Sequence, residues 1–234
     1  MKKLSLLVLA LPLVMSMDLI KPDCGSLAYF KEGTQCTMTS YNEDGKITGS
    51  SKTVYQKVSK SAIGMAVTAS QENFDKKGKS VSKNEYTLRC EKGILYFDLK
   101  NMMPQQQGDA YKDMEMTVEG MNKEMPSELK PGMSLKDANV KFIFKTKDSS
   151  VPMPMMNMEV KISNRKVEAI EKISTAAGTF ECFKMSEDIE TKTMFSVKMH
   201  SVSWFSLDAG TVKSMSYKEN GKLAGYSELT ELKH

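Results

Sequence analysis

The sequence predicts an all-β, antiparallel fold of one domain. Three observations lead there. Apolar and polar residues alternate with period two over much of the chain; an aromatic residue is followed four positions later by Gly-Lys at three places; and no Gly/Ser-rich or Pro-rich linker divides the 234 residues.

The three turn cues are Tyr41-Asn-Glu-Asp-Gly45-Lys46, Phe74-Asp-Lys-Lys-Gly78-Lys79 and Tyr217-Lys-Glu-Asn-Gly221-Lys222. Asp-Gly and Asn-Gly between alternating segments point to hairpins, with type I′ turns as the expected geometry. A set of ligand-gripping loops is the functional alternative. The copies follow no fixed period, so a solenoid is excluded. Between turns, Met114, Met116 and Val118 alternate with acidic residues and Thr117. Val140, Phe142 and Phe144 alternate with Asn139, Lys141 and Lys145, with Ile143 out of pattern. Met156, Met158, Val160 and Ile162 alternate with polar residues, as do Phe195, Val197 and Met199. One face of each such strand packs and the other meets water. The stretch from Met102 to Lys112 reads as a short helix or irregular connection, and Pro126, Pro131, Pro152 and Pro154 mark loops or strand edges.

Residues 1–17 read as a signal peptide. Lys2 and Lys3 precede an apolar run from Leu4 to Val14, and Ser16 offers a small residue near the cut. That run is far shorter than the ~20 residues of a membrane-crossing helix. Cys24 follows Lys21-Pro22-Asp23, which does not suit lipoprotein acylation. The β domain is expected over 24–234. The formal charge of +4 falls to +2 once Lys2 and Lys3 are removed, and the lysines are scattered, so neither nucleic acid nor an anionic membrane is indicated as a partner.

No constellation for catalysis stands out. His200 and His234 are the only histidines, no G-x-S-x-G elbow or phosphate-binding glycine loop occurs, and the four cysteines form no C-x-x-C pair. A Cys/His metal site, a cofactor and a catalytic residue are therefore not expected; carboxylates brought together by the fold are the one enzymatic route left open. The 20 methionines, among them Met153, Met155, Met156 and Met158, suit either strand packing, a Cu(I) thioether site or an adaptable apolar-ligand cavity.

The C-terminal third carries a resemblance. Thr175-Ala-Ala-Gly178-Thr-Phe180-Glu-Cys182-Phe-Lys184, Trp204-Phe205, Asp208-Ala-Gly210-Thr-Val212-Lys213 and Gly225-Tyr-Ser-Glu-Leu229 resemble the exported TapB-like proteins, related to domain of unknown function 3108. Cys24, Phe30-Lys-Glu-Gly33 and Ser40-Tyr41 extend the likeness to the start. The resemblance implies a strongly curved sheet or open barrel-like sandwich, in the periplasm or cell envelope of a Gram-negative bacterium, and brings no known activity. Its motif residues are Gly178, Phe180, Cys182, Trp204, Gly210 and Lys213. Cys24 and Cys90 fit the family pattern and are the expected disulfide; Cys36 stands outside it. Cys182 is expected as a buried thiol, with a Cys36–Cys182 bridge as the rival. The expected function is a non-enzymatic exported protein that binds an apolar ligand or an envelope protein, followed by copper binding and then an enzyme with a carboxylate site.

Overall fold

A computed structural model describes residues 24–97, 114–146 and 156–234. Residues 1–17, the Met102–Lys112 stretch, Pro152, Pro154, Met153 and Met155 lie outside these. Two 3₁₀ turns, Cys24–Ser26 and Ala28–Phe30, precede the strands. The strands are β1 (Gln35–Asn42), β2 (Ile47–Ser61), β3 (Gly64–Asp75), β4 (Ser80–Glu91), β5 (Ile94–Phe97), β6 (Met114–Met121) and β7 (Lys123–Pro126). They continue as β8 (Ala138–Thr146), β9 (Met156–Thr175), β10 (Gly178–Lys192), β11 (Ser196–Ser206), β12 (Gly210–Lys218) and β13 (Leu223–Lys233). All join one antiparallel sheet in the order β6-β8-β9-β10-β11-β12-β13-β1-β2-β3-β4-β5-β7.

The three Gly-Lys cues are hairpins, but not of type I′. In each, the glycine N–H donates three residues back, to Asn42, Asp75 or Lys218, and the backbone pairs again at Lys46, Lys79 or Lys222. Only the glycine has positive φ, 76–77°. This is a type I turn closed by a left-handed glycine, the common three-residue hairpin loop. Asn42, Asp75 and Asn220 fix the loops by accepting backbone N–H bonds of 2.8–3.2 Å. Because neighbouring strands alternate in direction, these three turns and the β10–β11 turn fall at one end of the sheet. The β2–β3, β9–β10 and β11–β12 turns fall at the other.

The hydrogen-bonded sheet is open, yet its edges are adjacent in the chain. β6 pairs with β8 at one edge and β7 with β5 at the other, and Asn122 alone separates β6 from β7. One extended stretch therefore supplies both edges. Side chains tie the seam. Arg165 of β9, 3% exposed, donates to the carbonyls of Glu124 in β7 and of Lys136, and to the Glu187 carboxylate of β10. Lys123 of β7 donates to Glu187 at 2.6 Å. A buried guanidinium persists only when such partners offset its desolvation.

The N-terminal segment fills the end of the sheet opposite the Gly-Lys turns. Leu27, Ala28, Tyr29 and Phe30 are all buried. Cys24 is disulfide-bonded to Cys90, and Ala28 N–H donates to the Leu207 carbonyl. The Tyr29 ring lies 5.4 Å from Tyr55 of β2, 6.4 Å from Phe97 of β5 and 6.0 Å from Phe205 of β11. Six strands separate β5 from β11, which would put them about 34 Å apart in a flat sheet. One ring touches both, so the sheet curls strongly around it.

Alternation places most core residues. Val140, Phe142 and Phe144 are buried and join Ile162, Val160 and Met158 in one cluster. Phe195 and Val197 are the exception: they are exposed, because Phe195 precedes β11 and Val197 sits at its start, beyond the packed core.

Candidate functional site

The motif residues form a scaffold that crosses the sheet. Trp204 of β11 donates its indole N–H to Glu171 of β9 at 2.7 Å, and Lys184 of β10 approaches both the same carboxylate, at 3.4 Å, and the indole face. Trp204 is the register partner of Lys184 and Lys213. Lys213 in turn donates to Glu228 at 2.7 Å and lies over Tyr226, which stacks on Tyr41. The Trp204 indole first, then Lys184, holds the Glu171 carboxyl below its usual range. Gly210 has φ 76° and lies against Tyr29, while Gly178 opens β10.

Phe180 and Ile173, at the β9–β10 tip, pack in one cluster with buried Cys182, Trp204, Val212 and Leu229. Cys182 is a free thiol, 1% exposed, and burial pushes its pKa up to about 11. Cys36 is the other free thiol, half-buried, and burial raises it too. Both thiols are poor nucleophiles at neutral pH. The structure thus brings Phe180, Cys182 and Trp204 into one cluster and leaves Lys213 on the cross-strand ladder.

A cavity of about 680 Å³ opens between β9, β10, β11 and the β12–β13 turn. On its wall His200 Nδ1 and Asp188 Oδ1 are 2.7 Å apart, and Asn164 Nδ2 donates to the other Asp188 oxygen at 2.7 Å. Asn164 takes a left-handed φ of 54°, a conformation asparagine tolerates better than most residues, and so faces the bulge at Asp188. The Asn164 bond first, then His200, keeps the Asp188 carboxyl ionised below its usual range. With one nitrogen oriented by Asp188, the His200 ring can hydrogen-bond a ligand in the groove. Nothing local in the sequence announces the His200–Asp188 pair, which only the β10–β11 register brings opposite.

Next to this groove, the β10–β11 turn presents Met194 and Phe195 to solvent at 88% and 77% exposure, with Val197 at 57%. Among the described residues, no three His, Cys, Asp or Glu side chains gather as a metal site, and no helix is long and apolar enough to cross a membrane.

The family model described as DUF3108-like matches residues 31–229. The chain belongs to the DUF3108-like family. Two solved structures share the fold. A candidate exported protein with YmcC-like fold from Bacteroides fragilis has 22% identity and a TM-score of 0.69, over 87% of this chain and 97% of its own. A candidate lipoprotein from Parabacteroides distasonis has 22% identity and a TM-score of 0.68, over 88% of this chain and 99% of its own. No curated protein matches.

The DUF3108-like match encloses the Glu171–Trp204–Lys213–Glu228 ladder, the His200 groove and the β10–β11 turn. It begins just after the buried run Leu27–Phe30. The residues singled out in the sequence act through contacts: Trp204 and Lys213 staple neighbouring strands, Phe180 and Cys182 fill a core, and Gly210 leaves space for Tyr29.

Proposed function

We propose that this DUF3108-like protein is exported, is not an enzyme, and works in the periplasm or envelope of a Gram-negative bacterium by binding an apolar ligand or another envelope protein. Within the family, the motif run from Gly178 to Lys213 favours a TapB-like member. One observation carries the reading: Met194, Phe195 and Val197 stand exposed together at the end of the sheet that bears the Gly-Lys hairpins. Clustered exposed apolar side chains cost solubility and mark contact sites. The motif residues support it, since they hold the scaffold together rather than line the groove, and the two fold relatives are described as exported protein and lipoprotein.

Native mass spectrometry of the mature protein, gently extracted from its own envelope, tests this reading. A retained lipid-sized or protein mass is expected. A bare chain that turns over substrate in a broad hydrolase screen would overturn it.

A further inference from the structure

Every charged side chain on the wall of the His200 groove is already paired within the protein. Lys198 lies 3.7 Å from Glu219, and Lys218 lies 3.1 Å from Glu43. Asp188 accepts from Asn164 and pairs with His200, and Glu190 accepts from Ser196 at 2.8 Å. Asp188, Glu190 and Glu219 thus stand against Lys198 and Lys218 around the cavity, so charge selects neither a cation nor an anion as its occupant.

The Asp188–His200 pair fixes what the imidazole offers instead. The carboxylate is ionised, because the Asn164 bond and then His200 hold its pKa down, and it can only accept. His200 Nδ1 therefore carries the hydrogen of their 2.7 Å bond. In the neutral ring Nε2 is then an acceptor, and among the described residues it has no protein partner. The wall around it is apolar: Ile189, Met199, Val202 and Tyr217 are all half-buried, and the Tyr217 ring lies 6.4 Å from His200. The Tyr217 hydroxyl donates to Met215 Sδ at 3.5 Å, which leaves its ring as the part available to a ligand.

From this arrangement we infer that the groove binds an uncharged, largely apolar molecule through a hydroxyl or N–H group that donates to His200 Nε2, with the body of the ligand on Met199, Val202 and Tyr217. The inference rests on the binding reading above, takes its apolar-ligand arm, and names the site and the ligand chemistry. At about 680 Å³ the cavity has the size of a small-molecule site, an apolar wall with one oriented polar group. The ring is set before a ligand arrives: Asn164, at its left-handed φ of 54°, holds Asp188, and Asp188 holds His200. Such preorganisation spares a ligand the cost of ordering its partner. A ligand without a donor would desolvate Nε2 and leave it unpaired, which is the basis for rejecting it.

Titration calorimetry of the purified mature protein at neutral pH with 2-naphthol, 2-methoxynaphthalene and 2-naphthoate tests the inference. The three probes share one ring system and differ in carrying a donor, a capped oxygen or a charge. 2-Naphthol should bind at least about tenfold more tightly than either of the others, equivalent to ~1.4 kcal/mol. His200→Phe should bring 2-naphthol down to the level of 2-methoxynaphthalene and leave the thermal midpoint unchanged. Equal affinity for the three probes, no binding of any of them, or a preference for 2-naphthol that survives His200→Phe would overturn the inference. Equal affinity together with a lowered midpoint in His200→Phe would make the Asp188–His200 pair a cross-strand staple alone. If native mass spectra retain a lipid-sized mass that 2-naphthol does not displace and His200→Phe does not lose, the groove assignment falls and the binding reading stands.

Discussion

The Tyr29 ring occupies the space that a side chain on Gly210 would need: a Cβ there would meet the ring at 2.6 Å. This contact joins the N-terminal segment to the β11–β12 turn, while the Cys24–Cys90 bridge joins it to β4.

Gly210→Ala should therefore destabilise by about 2–3 kcal/mol, from the positive φ and the overpacked ring together. Tyr29→Ala should cost about 3–5 kcal/mol by emptying the core. In the double variant the Cβ finds room, so thermal or urea unfolding should show a combined loss smaller than the sum. Strict additivity would mean the two residues do not touch in solution.

The Cys24–Cys90 bridge closes a separation of 66 residues. On the chain-entropy model it stabilises by roughly 4 kcal/mol. Replacing both cysteines by Ala should lower the unfolding midpoint accordingly, whereas Cys36→Ser should change it little. Non-reducing peptide maps should recover the 24–90 pair and leave Cys36 and Cys182 as thiols. A linked Cys36–Cys182 peptide would contradict the structure.

Much of this fold was legible locally and some of it was not. Val140, Phe142 and Phe144 announce their strand because the period of two survives any long-range pairing. The Gly-Lys cues located hairpins, but the turn type depends on a third loop residue that the dipeptide does not reveal. Phe195 and Val197 follow the same alternation and yet are exposed, because periodicity cannot say where packing ends. The split of Met114–Pro126 between two sheet edges, the burial of Arg165 with Glu187 and the Asp188–His200 pair all depend on register between distant strands, which leaves no local trace.

Arg165 should be among the costliest single charges to remove. Arg165→Ala leaves the Glu187 carboxylate and the carbonyls of Glu124 and Lys136 short of a donor, and breaking such a buried pair costs about 3–5 kcal/mol. Chemical denaturation would measure it. A loss within the surface-pair range, below about 1 kcal/mol, would show that the seam is open to water.

Glu171 should make stability pH-dependent on the acid side. Its carboxyl is held below its ordinary value of 4.5, chiefly by the Trp204 indole. Between the folded and ordinary values the unfolded chain binds more protons than the folded one, so stability is full above the ordinary value and falls as pH drops towards the folded one. Trp204→Phe removes the donor, and the slope of unfolding free energy against pH in that range should become shallower. An unchanged slope would mean that the indole does not hold this carboxylate.

The central claim is that the hairpin-bearing end of the sheet is the working surface and the Tyr29 end is structural. Hydrogen–deuterium exchange of the mature protein, with and without solubilised envelope from its own source, measures this directly. Peptides spanning Thr193 to Lys198 should gain protection on binding, while those at the Ser61–Gly64 and Leu207–Gly210 turns stay unchanged. Protection at those turns, with none at the β10–β11 tip, would contradict the account.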